Sequence, residues 1–179
     1  MPRNSTDQGT ANITGAGGWD AALSKAQAFV SQLTLDEKAY MVTGTTGPCV
    51  GNIAPIPRLG FNGLCLHDGP AAIREATYAS VFAAGLSAAA SWDRDLIRLR
   101  GQYMAEEFKG KGSHIALGPV CGPLGRSAFS GRNWEGFSPD PYLSGVAMEE
   151  TIMGIQSVGV QACAKHYSEY ASLLEWRWC

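Results

Sequence analysis

Apolar residues recur at helical spacing in some stretches of this chain and fill short continuous runs in others. Trp19–Leu33 places Ala22, Ala26, Phe29, Val30 and Leu33 at helical intervals. Thr34 then opens a second short helix. Thr34 and Glu37 stand at capping-box spacing, and Met41 and Val42 are its later apolar positions. Gly44–Pro57, rich in Gly, Pro and Thr, reads as loop. Gly63–His67 reads as a short buried strand, followed at once by Asp68-Gly69-Pro70. Residues 78–90 are small and apolar and fit strand, loop or both. Ser91 caps a helix over Trp92–Lys109, with Asp93 and Asp95 in the first turn, where carboxylates favour the helix dipole. Gly110-Lys111-Gly112 ends it. His114–Leu117 is the next strand and Gly118–Ser138 the long loop after it. Asp140 is a good N-cap and Pro141 a good first residue for a third long helix, Pro141–Val158, with Val146, Ile152 and Ile155 among its apolar positions. Val160–Ala164 is a last short strand, running into Lys165-His166-Tyr167.

Strand, helix, strand, helix, strand is the alternation of an α/β protein with a parallel sheet and covering helices. A polar group follows each strand, which is where a (β/α) barrel builds its site. A doubly wound sheet gives a similar pattern.

Composition narrows the classes. Apolar residues make up 45% and charged residues 17% of 179, the proportions of one soluble domain with a real core. The net charge of −2 gives no electrostatic case for nucleic acid or an anionic membrane. No apolar run is long enough to span a bilayer. Met1–Thr10 is polar and lacks the apolar core of a signal peptide, so the chain stays inside the cell or this start is not the natural one. Cys49, Cys65, Cys121, Cys163 and Cys179 show no CxxC spacing and no ligand cluster with His, so zinc is not expected. Cys65 and Cys163 read as small buried hydrophobes. The sequons at Asn4 and Asn12 matter only in a secreted chain.

The chemistry gathers at strand ends. Gly131–Tyr142 delivers Arg132 and Glu135 on a loop just before a helix, either as an active-site loop or as an ion pair bracing that loop. Asp68, Arg132, Lys165 and His166 would meet at one end of the sheet. An ionised Asp accepts hydroxyl hydrogens while Arg and Lys donate to hydroxyl oxygens, a combination suited to a polyhydroxylated ligand. Trp134 and Phe137 could face a sugar ring. Phosphate competes for the same cations, but Asp68 repels an anion and no GxxxxGK[ST] is present. Structural pairing of Lys165 with Asp68, and a satisfied core role for His166, is the other reading.

With these residues assembled, the chain resembles the N-terminal part of a glycoside hydrolase family 3 β-glucosidase of the fungal type, from about Trp19 to Tyr167. The resemblance is carried by Leu33-Thr-Leu-Asp-Glu-Lys38, His67-Asp-Gly-Pro70 with Arg74, Ala90-Ser-Trp-Asp-Arg94, Leu117-Gly-Pro119, Gly122-Pro-Leu-Gly-Arg126, Gly131–Tyr142 and Ala162-Cys-Ala-Lys-His-Tyr167, in that order. It implies a TIM-like (β/α)8 barrel of which only the N-terminal portion is here, in residues 18–167, after a flexible arm in residues 1–17. It implies that Asp68, Arg132, Lys165 and His166 bind sugar hydroxyls in the cleaved subsite. The implied reaction is hydrolysis of terminal β-D-glucosyl residues with retention, as in cellobiose breakdown. The implied partner is a small β-glucoside or oligosaccharide, no metal or organic cofactor is implied, and the setting is secreted.

The resemblance also marks departures. The family's nucleophilic Asp lies in a Ser-Asp-Trp type motif downstream of the Lys-His pair, and its acid/base Glu comes from a later domain. The nearest local match, Ser91-Trp92-Asp93, reads as a helix start, and Glu135 is not the acid/base by resemblance. The expectation is therefore a chain without hydrolytic activity. A barrel takes about 250 residues and cannot close here, which leaves open edges and a tendency to aggregate. Residues 168–179 keep no family pattern and read as a frame change or intron-derived end, with a genuine new C-terminus as the alternative. Ala83 stands where relatives often have Pro. The alternative functions are a β-xylosidase or N-acetylglucosaminidase of the same family, or a non-catalytic sugar-binding remnant.

Overall fold

The computed structural model describes residues 19–121 and 131–166. The expected arm in residues 1–17, Arg126, Tyr167 and the tail in residues 168–179 lie outside the described residues. The chain divides into two compact units, residues 1–43 and 44–179.

The first unit holds α1 (Asp20–Val30) and α2 (Leu35–Val42). The predicted capping box is present. The Glu37 N–H donates to Thr34 Oγ1 at 3.2 Å, and the Thr34 N–H donates to Glu37 Oε2 at 2.8 Å.

The second unit is a four-stranded sheet with its helices. Its elements are β1 (Gly51–Ile53), β2 (Leu64–Asp68), α3 (Gly85–Ala89), α4 (Arg94–Gly110), β3 (Ile115–Leu117), α5 (Pro141–Ser157) and β4 (Gln161–Ala162). The strand order is β1-β2-β3-β4. β2, β3 and β4 are parallel, in register at Leu66↔Ile115, Asp68↔Leu117 and Ile115↔Gln161. Parallel neighbours need a crossover, and α4 and α5 supply the two. The expected strand–helix alternation is thus present, as a partial sheet.

One cluster of buried residues joins sheet and helices: Met104, Ala105 and Phe108 from α4, Ala116 from β3, and Ile155 from α5, with Ile73 and Val160. The two long helices approach backbone to backbone. A Cβ at Gly101 would lie 2.8 Å from the Thr151 carbonyl oxygen, and one at Gly154 would collide with the Arg98 carbonyl oxygen.

The structure differs from the sequence expectation in four places. Gly44–Pro57 is not all loop, because β1 pairs antiparallel with β2. Its Gly and Pro content hid a three-residue strand that Asn52 ties to the preceding turn through the backbone of Cys49. Cys65 is not a packed thiol but is bonded to Cys49 in a disulfide, and Cys163 is exposed. Residues 78–90 include the helix α3. Finally, α4 begins at Arg94, two residues later than expected. Asp93 is its N-cap, accepting the Leu96 N–H at 3.0 Å, and Trp92 sits outside the helix at φ 56°.

Candidate functional site

Asp68 is the last residue of β2, so its side chain emerges where the sheet ends. Gly69 follows at φ 137°, where a Cβ would collide with the Ala72 carbonyl oxygen, so this tight turn requires glycine. The turn brings the Arg74 N–H back to the Asp68 carbonyl at 3.0 Å. Asp68 Oδ1 accepts from Lys165 Nζ at 2.6 Å and from the Gly69 N–H at 2.9 Å. Arg74 NH1 stands 3.5 Å from Oδ2. Burial alone raises the Asp68 carboxyl pKa, but Lys165, the Gly69 N–H and Arg74 together outweigh it and hold the pKa below 3.8. The group is an acceptor at all ordinary pH.

Lys165 arrives from 97 positions away in sequence. Parallel pairing past the end of the named strands places it. Its N–H donates to the Pro119 carbonyl at 3.0 Å, and its carbonyl accepts the Cys121 N–H at 2.7 Å. The Gly118–Pro119 and Lys165–His166 peptide bonds are cis.

Arg132 comes from the loop after β3. It forms a two-pronged ion pair with Glu135, Nε to Oε1 at 2.6 Å and NH2 to Oε2 at 2.7 Å. Glu135 is buried in a 3₁₀ turn, Asn133–Glu135. Behind it, α3 comes close enough that a Cβ at Gly85 would lie 2.5 Å from the Glu135 carbonyl oxygen. The side chain of Glu135 therefore aims the guanidinium, and its backbone is fixed by the helix behind.

His166 is half-buried. Burial, then the Arg132 and Lys165 cations, push its pKa below 6.5, while Glu135 and Asp68 pull the other way. The imidazole is neutral at pH 7 and lies within electrostatic reach of Arg132, Lys165, Glu135 and Asp68.

A cavity of about 590 Å³ opens here, lined by Asp68, Arg74, Arg132, Trp134, Glu135 and the Gly69–Ala72 turn. The four residues singled out in the sequence are thus brought together, but unequally. Asp68 and Arg132 line the cavity, Lys165 is bound to Asp68, and His166 follows Lys165 half-buried. Trp134 lines this space and is exposed. Phe137 does not, contrary to expectation, because it is buried with Ala88, Ala89, Ile97 and Ala147. The resemblance implies no role for Arg74, yet its guanidinium stands 3.5 Å from Asp68 Oδ2. Nothing in its own segment marks Arg74, since only the fold-back after Gly69 brings it to Asp68.

Ligand atoms of Cys49, Cys65 and His67 lie within 4.8 Å of one another. The disulfide consumes both sulfurs, so no thiolate is offered and this donor set does not fit a metal. Chemically, the cavity sets an ionised acceptor among cationic donors and one indole. It suits a neutral ring bearing several hydroxyls.

Comparison with known proteins gives the family. The family model "Glycosyl hydrolase family 3 N terminal domain" matches residues 58–175. A probable β-glucosidase G from Aspergillus oryzae is 66% identical over 177 residues, 93% of this chain and 22% of the relative. β-Glucosidase 1 from Aspergillus aculeatus is 54% identical over 156 residues, 86% of this chain and 18% of the relative. Among solved structures, a β-glucosidase from Chaetomella raphigera superposes with a TM-score of 0.82 at 49% identity, over 86% of this chain and 22% of that one. β-Glucosidase 3B from Thermotoga neapolitana, in complex with glucose, gives 0.74 at 35% identity, over 80% of this chain and 23% of that one. The chain spans about a fifth of the length of the curated relatives it matches.

Proposed function

The chain belongs to glycoside hydrolase family 3, and from that premise we propose that it forms the part of a β-glucosidase that grips the terminal β-D-glucosyl residue of its substrate. The observation that carries this reading is the Asp68 carboxylate, ionised, cavity-facing and steadied by Lys165 on one oxygen. Glucose in the solved relative from Thermotoga neapolitana supports the ligand class. Asp68 accepts two ring hydroxyls, Arg132 and Lys165 donate, neutral His166 exchanges one hydrogen bond, and Trp134 gives the ring an apolar edge.

Retaining hydrolysis needs a nucleophilic carboxylate and a proton-donating one about 5–5.5 Å apart. Neither carboxylate lining this cavity suits those roles. Asp68, held ionised by Lys165 and Arg74, is no proton donor, and the resemblance places the nucleophile in a downstream Ser-Asp-Trp motif; both oxygens of Glu135 are occupied by Arg132. We assign both to binding and positioning, with bond cleavage left to carboxylates from other parts of a longer protein. The Cys49–Cys65 disulfide supports an oxidising, extracellular setting.

The test is made on the pure 179-residue chain. Glucose binds saturably, and an aryl β-glucoside is not turned over. Turnover that disappears in Asp68→Ala would sink the assignment of roles, and absence of saturable binding would sink the binding reading.

A further inference from the structure

The Asp68 carboxylate is placed by a segment, residues 69–84, that contains no helix or strand. Two of its non-glycine residues, Glu75 and Tyr78, are at φ 57° and 55°, a region such residues rarely adopt. The local backbone hydrogen bonds run from the Arg74 N–H to the carbonyl of Asp68, just before the segment, and from the Phe82 N–H to the Ala71 carbonyl. Two local bonds do not fix sixteen residues, so the segment is held from outside.

The holder is one face of α4. Arg100 donates from NH2 to the Pro70 carbonyl and from Nε to the Ala83 carbonyl, both at 2.7 Å. Two turns along, Glu107 Oε2 accepts the Ser80 N–H at 2.8 Å, and at the helix end Lys111 Nζ donates to the Thr77 carbonyl at 2.8 Å. Between them Met104 packs with Ile73 of the segment. Arg100 is the unusual member. It is buried, and no carboxylate pairs with it among the described residues. A buried cation without a counter-ion is costly, so its two carbonyl bonds are what keep it there.

We propose that Arg100 is a positioning residue of the sugar site, a buried two-pronged clasp that joins the two ends of the segment after Asp68 and so sets Asp68 and Arg74 against the cavity. The deduction deepens the glucosyl-binding reading and rests on it for the identity of the ligand. The clasp depends on the fork of the guanidinium, since one ammonium has no such planar pair of donors. Burial lowers the Arg100 pKa to about 10, so the clasp is charged across the neutral range.

The experiment compares amide hydrogen exchange in the wild-type chain, Arg100→Lys and Arg100→Ala, first without sugar. The Arg74 and Phe82 amides are expected to exchange about tenfold faster or more in both variants, with α5 amides unchanged. Methylguanidinium, which fits the space vacated in Arg100→Ala, should slow them again. Glucose affinity should fall about tenfold in Arg100→Lys and recover with methylguanidinium in Arg100→Ala. Unchanged exchange at Arg74 and Phe82 overturns the proposal. So does an equal rise throughout α5, which would make Arg100 a brace of the whole unit. If the wild-type chain fails to bind glucose, the ligand reading falls, while the exchange data still decide the clasp.

Discussion

Asp68 and Glu150 are both carboxylates held between two cations, Asp68 at the end of β2 and Glu150 on α5. Glu150 is saturated. Its Oε1 accepts from Arg94 through Nε at 2.7 Å and NH2 at 2.5 Å, and its Oε2 from Arg98 through Nε and NH2, both at 2.7 Å. Asp68 is closed on one side only. Lys165 and the Gly69 N–H take Oδ1, but Arg74 stands 3.5 Å from Oδ2, beyond the length of a strong charged hydrogen bond. Both carboxyls are held in the ionised form by their cations, so charge does not tell them apart. Geometry does: Glu150 has spent its acceptor capacity on two arginines of α4, and Asp68 keeps capacity turned toward a cavity. A satisfied cluster braces, and a partly satisfied one beside open space can take a ligand.

The contrast can be broken first at the ligand. Asp68→Ala should weaken glucose binding by about 2–3 kcal/mol, the worth of a charged hydrogen bond set, while Glu150→Gln leaves the affinity unchanged. Equal effects of the two substitutions in a binding titration would erase the distinction.

The helix pair that Glu150 joins gives the next effect. Gly154→Ala forces a methyl group toward the Arg98 carbonyl of α4 and should cost about 2 kcal/mol in a urea unfolding curve, because neither backbone has room to yield. A stability within about 0.5 kcal/mol of wild type would show the interface to be softer than described. Glu150→Gln should cost less, about 1 kcal/mol. Its carboxylate is only 3% exposed, but the cover is thin, made largely by arginines that are themselves 60% and 51% exposed, so water screens the pairs.

Acid should give the smallest effects near neutrality, with a defined sign. His166 has a folded pKa below 6.5, so the unfolded chain takes up this proton first, and stability falls as pH drops below 6.5. Asp68 has a folded pKa below 3.8, so its stabilisation is intact above 3.8 and is lost as pH falls through the lower folded value. Unfolding curves taken at descending pH should show the earlier decline vanish in His166→Gln. Persistence of that decline would assign it elsewhere.

The legible parts of this protein were those where sequence neighbours decide. The capping box at Thr34 and Glu37, the Asp140 cap before Pro141, and the strand ending in Asp68 all follow from local spacing. The site residues were legible as types at strand ends, and their sharper role came with the family resemblance. What was hidden depended on distant partners. The strand β1 exists because it pairs with β2, and Cys65 is read differently once Cys49 is seen beside it. Phe137 looks like a ligand platform in sequence and is core in the fold. Arg100 and Arg74 are unremarkable within their own segments, and only the folded-back chain after Gly69 gives them partners.

In the proposed reading, Asp68, Arg132 and their supports form one glucosyl cradle. It is tested most directly by titrating glucose into isotope-labelled chain and following the amide signals of Gly69, Arg74 and Glu135. All three should shift together along one saturation curve, and none should shift in Asp68→Ala. Separate curves, or shifts that survive the loss of Asp68, would contradict it.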